Sequence, residues 1–385
     1  MPLCRWIASV ILIAVLGSCM GTAPPGPITR DSATVVDPDE LVALAPGPAS
    51  AERLVAAAGR LGYEVGRRDV LEGLGRELVT LGLPPGTDAP AAIRSLERAA
   101  PGTVVGRNHA YWPEPERPGS GTDPRSYAAA LLAWPAGGCA ASVPVGMIDT
   151  PLDPTAPALA AIRLSTRDFT GGAPGDPHGT AIAGLLAGPG RLNGVRLYHA
   201  AVVGPVPGGP AAAGVDDIVR ALDWLASEDV RLVNVSLAGP YNKILDRGLA
   251  AAAARGMTVV AAAGNEGSAA PPRWPAAFSG AIAVTAVDAE LAPYRLAPKG
   301  DWLDFAAPGV DVYVPAGAGG RYLSGTSIAT AFVTAIAAAG PAAGDGGGAA
   351  AVRSRLSRDS VDLGPAGHDA TFGGGLPTAP PGCRG

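Results

Sequence analysis

Between residues 143 and 287 the chain repeats one pattern: a short, almost purely apolar run, then a longer segment with helical spacing. The apolar runs are Val143–Ile148, Leu197–Val203, Leu232–Ser236, Thr258–Ala263 and Ala281–Val287. Helical segments Thr180–Leu186, Val215–Ser227 and Lys243–Arg255 stand between them. A run that is apolar at every position fits a strand covered on both faces, and such strands alternating with helices build a parallel sheet. The pattern predicts an α/β fold with a doubly wound, mostly parallel sheet and right-handed crossovers. In a sheet of that kind, ligands bind outside the carboxyl ends of the strands.

Three stretches could bring chemistry there. In Leu323-Ser324-Gly325-Thr326-Ser327-Ile328-Ala329-Thr330-Ala331-Phe332, a tight Gly-Thr turn leads into a helix reaching about Ala339. Ser327 then sits at a helix start, among free backbone N–H groups. It reads either as a helix cap or as a nucleophile whose oxyanion faces those donors. A serine hydroxyl needs a base to become a nucleophile. Of the 4 histidines (His109, His178, His199 and His368), only His178 opens a small-residue helix, within Asp176-Pro177-His178-Gly179-Thr180. The run Val143–Ile148 ends in Asp149, a carboxylate at a strand tip. Taken singly, Asp149 reads equally as a turn residue and His178 as a cap or a hydrogen-bonded core imidazole.

In combination, Ile148-Asp149-Thr150, His178-Gly179-Thr180 with Ala183-Gly184, and Gly325-Thr326-Ser327 with Ala329 resemble the subtilisin-like serine peptidases, from roughly Val143 to Leu376. A fourth stretch, Ala262-Ala263-Gly264-Asn265-Glu266-Gly267, is similar as well. The resemblance implies a triad of Asp149, His178 and Ser327, with Asn265 as a side-chain oxyanion donor. It also implies that Ser236, Leu237, Ala238 and Gly239, with Ala263 and Gly264, line the path of an extended polypeptide substrate. Such binding works by strand addition. No cofactor is required for this chemistry.

The sequence departs from the family pattern in several places. Pro151 stands where Gly is common, Ala181 where a second His often follows, and Ala331 where a Pro usually kinks the helix. Between Gly188 and Val195 there is no carboxylate cluster, so the family's calcium loop is not expected there; other structural calcium sites stay open. Arg273, just before Trp274-Pro275-Ala276, falls near the base of the primary pocket by the same analogy. It is expected to point to solvent; turned inward, it would favour an acidic or small residue before the scissile bond.

The amino terminus carries its own signals. Arg5 precedes an apolar run from Trp6 to Leu16, followed by Leu16-Gly17-Ser18-Cys19. The run is too short for a membrane span and fits a signal peptide over residues 1–19. Small residues before Cys19 resemble a bacterial lipoprotein signal. That implies lipidation of Cys19 and an exported protein tethered to the cell envelope, in the periplasm or on the outer surface. An ordinary signal peptide that happens to contain Cys19 is the alternative. In an oxidising compartment Cys139 and Cys383 either pair or remain free thiols. A spacer over 20–38 leads to a small domain over 39–111 whose element order, β-α-β-β-α-β, is ferredoxin-like. By the resemblance this domain is a propeptide that inhibits its own enzyme. A Pro- and Gly-rich linker over 112–125 is the expected processing region, ahead of a catalytic domain over 126–385.

A net charge of −5, no dense Lys/Arg patch and few aromatics argue against nucleic-acid binding. Two other functions compete. One is a catalytically silent, peptide-binding lipoprotein that keeps the fold. The other is an esterase, against which the lack of a Gly-x-Ser-x-Gly elbow around Ser327 speaks.

Overall fold

The computed structural model describes residues 34–113, 117–118, 127–207, 209–316, 319–340 and 348–383. The leader, Cys19, most of the spacer and much of the linker lie outside these residues.

Seven strands form the central sheet, in the order Phe305–Pro308, Ala281–Val287, Thr258–Ala262, Leu232–Val235, Val145–Asp149, Arg196–Ala201 and Arg163–Asp168. Every pairing in it is parallel. From Val145–Asp149 the chain goes to the edge strand Arg163–Asp168, returns through Arg196–Ala201 and then crosses to Leu232–Val235 on the other side, so the order reverses around Val145–Asp149, whose last residue is Asp149. One face is covered by the helix Thr326–Ala339, buried along nearly its whole length, and by Pro177–Ala187. Val215–Ser227 and Lys243–Ala254 cover the other face. These two-sided cores explain why the strands are apolar at every position.

Several elements were not visible as apolar runs. The edge strand Arg163–Asp168 is mostly exposed and polar. Phe305–Pro308 is short, and the hairpin of Val312–Ala316 with Gly319–Ser324 is glycine-rich. A short helix, Tyr127–Leu131, precedes the sheet. A last helix, Gly348–Arg358, follows near the chain's end. The helix Thr326–Ala339 runs without a break through buried Ala331, consistent with the missing proline. Cys139 and Cys383 are joined by a disulfide, their Cα atoms 5.5 Å apart.

Residues 40–107 form a second, antiparallel sheet in the order Glu64–Leu71, Arg76–Gly82, Glu40–Ala45, Val104–Arg107, with helices Pro48–Arg60 and Ala89–Ala99 on one face. Alternate residues of Glu40–Ala45 point two ways. Leu41, Ala43 and Ala45 face these helices. Val42 and Leu44 face the helices of the larger body, sharing a core with Val215, Ile218 and Ile244. The turn at Gly73 presses on helix Val215–Ser227 so closely that a Cβ there would stand 2.3 Å from Asp223 O. Leu74 N–H donates to Asp223 Oδ1 at 2.9 Å.

A polar cluster closes this seam. Arg67 pairs with Asp216, Asn108 Nδ2 donates to Asp216 Oδ1 at 2.8 Å, and Arg220 pairs with Asp217 at 2.9 Å. Burial, then the charge of Asp216, pushes the Asp217 carboxyl up to about 7. Burial likewise raises Glu40. Both folded-state values lie above those of the unfolded chain, so folding takes up protons at these groups. Their contribution to stability is present at low pH and is lost as pH rises through the folded values. Asp217→Asn removes the charge penalty. Its melting temperature should exceed that of the parent most at pH 8, and the gap should narrow towards pH 5 in scanning calorimetry. A gap independent of pH would contradict this assignment.

Candidate active site

Asp149 is fully buried at its strand end, held by its own neighbour: Thr150 N–H donates to Asp149 Oδ1 at 2.7 Å. His178 lies in the first turn of Pro177–Ala187. Pro177 occupies the first helical position, where its missing N–H costs nothing, and Asp176 caps the helix by accepting from His178 N–H at 2.7 Å. His178 Nδ1 is 2.6 Å from Asp149 Oδ1, and Nε2 is 3.3 Å from Ser327 Oγ. The imidazole thus bridges a buried carboxylate and a buried hydroxyl.

Gly179 permits the approach. A Cβ there would stand 2.5 Å from Thr150 O and 3.3 Å from Asp149 Oδ1. With no side chain, Gly179 N–H instead donates to Thr150 Oγ1 at 2.8 Å. Pro151 fits this junction as well, because its carbonyl, which proline retains, accepts from Asp176 N–H at 2.8 Å. His199 supports the same corner from below, with Nε2 2.9 Å from Thr150 O. Burial lowers its pKa, which favours the neutral ring donating through Nε2.

Ser327 is the second residue of its helix and fully buried, in the first turn. Asn265 reaches over this helix start. Its Oδ1 accepts from Thr326 N–H at 3.0 Å and lies 3.1 Å from Thr326 Oγ1, which itself accepts from Gly264 N–H at 3.1 Å. Because the oxygen is held by Thr326, the amide nitrogen is directed the other way. Asn265 Nδ2 would be 3.1 Å from a Cβ on Gly325, two residues before Ser327. Gly264 adopts φ 115°, a conformation that favours glycine.

Ser236 is tied to the Ser327 helix through Asn234, whose Nδ2 donates to Ser236 Oγ at 2.9 Å and whose Oδ1 accepts from Thr334 Oγ1 at 3.1 Å. Leu237 and Ala238 pair antiparallel with Pro113 and Trp112 of the chain's own strand Ala110–Pro113. Gly239 exchanges hydrogen bonds with Trp274, and Ala263 N–H donates to Val284 O at 3.0 Å. On its other edge the strand Ala110–Pro113 pairs with Ala213–Gly214. Tyr111 is fully buried, its hydroxyl donates to Pro240 O at 2.8 Å, and a Cβ on Gly239 would collide with its ring. Past residues 114–116, Arg117–Pro118 pairs with Leu323–Ser324, close to Ser327 in sequence. The edge Leu237–Ala238 is therefore already paired by residues that follow the small sheet.

Arg273 does not point to solvent. It is 5% exposed, and its Nε lies 3.1 Å from Glu266 Oε1. The solvent expectation fails because Trp274 is bridged to Gly239, which draws the residue before it under Gly264, where Arg273 Cγ packs. Sequence reading also missed Thr326 as the anchor of Asn265 and Ala110–Pro113 as a docked strand. The one cue for the latter is Tyr111-Trp112, an aromatic pair in a chain that is 5% aromatic.

Fold and site together define an α/β protein carrying an Asp-His-Ser constellation at the carboxyl ends of a parallel sheet. The subtilase family model matches residues 141–375, more than half of the chain, and the chain belongs to this family. It is 28% identical over 258 residues to the minor extracellular protease Epr of Bacillus subtilis, covering 63% of this chain and 39% of Epr. Against the M-protease of Shouchella clausii it is 31% identical over 214 residues, covering 53% of this chain and 54% of that protein. With subtilisin DY of Bacillus licheniformis it shares 32% over 241 residues, covering 58% of this chain and 85% of the relative. The chain thus spans about half or less of the length of the first two. Its fold is similar to that of fervidolysin from Fervidobacterium pennivorans, a keratinolytic enzyme related to subtilisin, with a TM-score of 0.70 at 20% identity, over 90% of this chain and 61% of that one.

Thr326→Val keeps the shape of the side chain and removes its hydroxyl. Gly264 N–H then loses its buried acceptor, at a cost of about 1–3 kcal/mol, and Asn265 Oδ1 keeps Thr326 N–H but loses the hydroxyl. Chemical denaturation of this variant should show a clear loss of stability, whereas Thr326→Ser should retain most of it.

Proposed function

We propose that the chain is a serine endopeptidase that cleaves polypeptides through an acyl-enzyme. The observation that carries this is the placement of His178 Nδ1 on Asp149 and Nε2 on Ser327. Ser327 Oγ attacks the scissile carbonyl carbon while His178 Nε2 takes its proton. The same nitrogen then gives that proton to the leaving amine. Asp149 holds the ring in the required tautomer and stabilises the imidazolium. The oxyanion forms beside Asn265 Nδ2 and the N–H groups at the start of Thr326–Ala339. A water molecule activated by His178 then releases the acyl group. Ser236–Gly239 provides a strand edge for the substrate main chain.

Residues 39–111 act in this reading as a propeptide. The shared core with Val215–Ser227 supports that role, and so does the strand Ala110–Pro113, which occupies the edge a substrate needs. Self-processing falls in the linker, between Tyr111 and Tyr127. The pairing of Ala110–Pro113 with Leu237–Ala238 and of Arg117–Pro118 with Leu323–Ser324, three residues before Ser327, favours a bond between Pro113 and Arg117. The leader over residues 1–19 directs export, Cys19 is the lipid attachment point that holds the protein at the cell envelope, and the Cys139–Cys383 bridge suits an oxidising compartment.

Expression of the chain without its leader, beside Ser327→Ala, tests the central reading by intact mass over time. The parent alone should convert to a species beginning between residues 112 and 127. If neither protein converts and a fluorophosphonate probe fails to label the parent, the chain is instead a silent, peptide-binding member of the fold. In a chain that cleaves peptides, Asn265→Ala should lower kcat roughly 100- to 1,000-fold with little change in KM. A KM effect alone would assign Asn265 to substrate binding instead.

A further inference from the structure

Arg273 is a cation set into the wall of the cleft. Its side chain is almost wholly buried, packed across Gly264 on one side. The adjoining Trp274 is bridged to Gly239, at the end of the edge to which a peptide pairs. Its charge reaches the docked strand, where it counters the upward push of burial on the Tyr111 hydroxyl. Among the described residues one carboxylate pairs with it, Glu266 Oε1, and that side chain is 27% exposed. Arg273 Nη2 is buried without a hydrogen-bond partner. A guanidinium offers five N–H donors and cannot shed its charge, so a desolvated nitrogen with no acceptor is an unmet demand.

The docked strand shows which substrate residue meets that demand. Trp112 faces Ala238 and Pro113 faces Leu237, so the next residue of a bound peptide falls opposite Ser236. The next described residues of the chain, Arg117–Pro118, pair with Leu323–Ser324, the strand that leads into the helix of Ser327.

We infer that Arg273 determines specificity by pairing with a carboxylate on the substrate residue immediately before the scissile bond, so that the substrates are polypeptides cut after acidic residues. This deepens the endopeptidase reading above and rests on it. A glutamate side chain supplies two acceptor oxygens to the guanidinium fork. A leucine or phenylalanine there would seal the cleft over an unpaired nitrogen and leave it uncompensated. Glu266 is the resident counter-ion that keeps Arg273 in place when no substrate is bound.

The test uses the purified full chain, with quenched peptides that differ only at the residue before the cleaved bond: Glu, Gln, Ala, Leu or Phe. The peptide with Glu should exceed the one with Gln in kcat/KM by roughly tenfold or more, and the ratio should shrink at high salt. Arg273→Gln should bring the Glu-to-Gln ratio close to unity, while Arg273→Lys should keep part of it. Glu266→Gln, which removes the competing carboxylate, should raise the ratio, and it serves as an independent check if Arg273→Gln fails to fold. A preference for Leu or Phe, or a ratio unmoved by these substitutions, would overturn the assignment of Arg273 while leaving the endopeptidase intact. Failure to cleave any of the peptides, together with failure of a fluorophosphonate to label Ser327, would overturn both.

Discussion

The contact between His178 and Asp149 depends on one crowded junction, and the rest of the site depends on that contact. A strand end and a helix start must meet at 2.6 Å between side-chain atoms. That closeness is possible only because Gly179 has no side chain and Thr150 has a hydroxyl to receive its N–H. Asp176 and Pro151 fasten the two backbones together, and buried His199 secures the carbonyl between them. The helix carrying Ser327 is positioned separately, through Thr326 and Asn265. Neither half of the site rests on a loop free to drift: each reacting group is the first or last few residues of a packed element.

The body of the fold was legible because its strands are buried on both faces, which forces every position to be apolar. Val145–Asp149, Thr258–Ala262 and Ala281–Val287 could hardly be read otherwise. Arg163–Asp168 escaped for the opposite reason: at the edge of the sheet only one neighbour and little cover constrain its residues. Taken singly, Asp149, His178 and Ser327 each also read as a cap, turn or core residue; it was their combination with Asn265, at the boundaries of apolar elements, that resembled a family site. Thr326 was not legible. Its importance lies in a hydrogen bond to a residue 61 positions away, and no local pattern records such a partner.

Arg273 shows the same limit more sharply. A charged residue in a polar, proline-rich loop reads as solvent-facing, because burying a guanidinium is costly. The structure buries it because its neighbour is pinned by main-chain hydrogen bonds to Gly239, which leaves the side chain nowhere to go but under Gly264. The backbone pairing prevails over the side chain's preference for water. The docked strand Ala110–Pro113 was hidden for a similar reason: its partners are edges of another part of the chain, and they become visible only when the two are brought together.

The small antiparallel sheet does not rest on the larger body as a lid rests on a box. Val42, Leu44 and Leu78 are as much a part of the core around Val215 and Ile244 as the strands beneath are. Cutting the backbone in the linker therefore leaves that seam intact. In the self-processing proposed above, a nick and a separation would be two events with two clocks: the first set by chemistry at Ser327, the second by the rate at which water is admitted between oily surfaces. In the interval, a severed chain still moves as one particle, and its cleft stays shut although nothing covalent holds it closed.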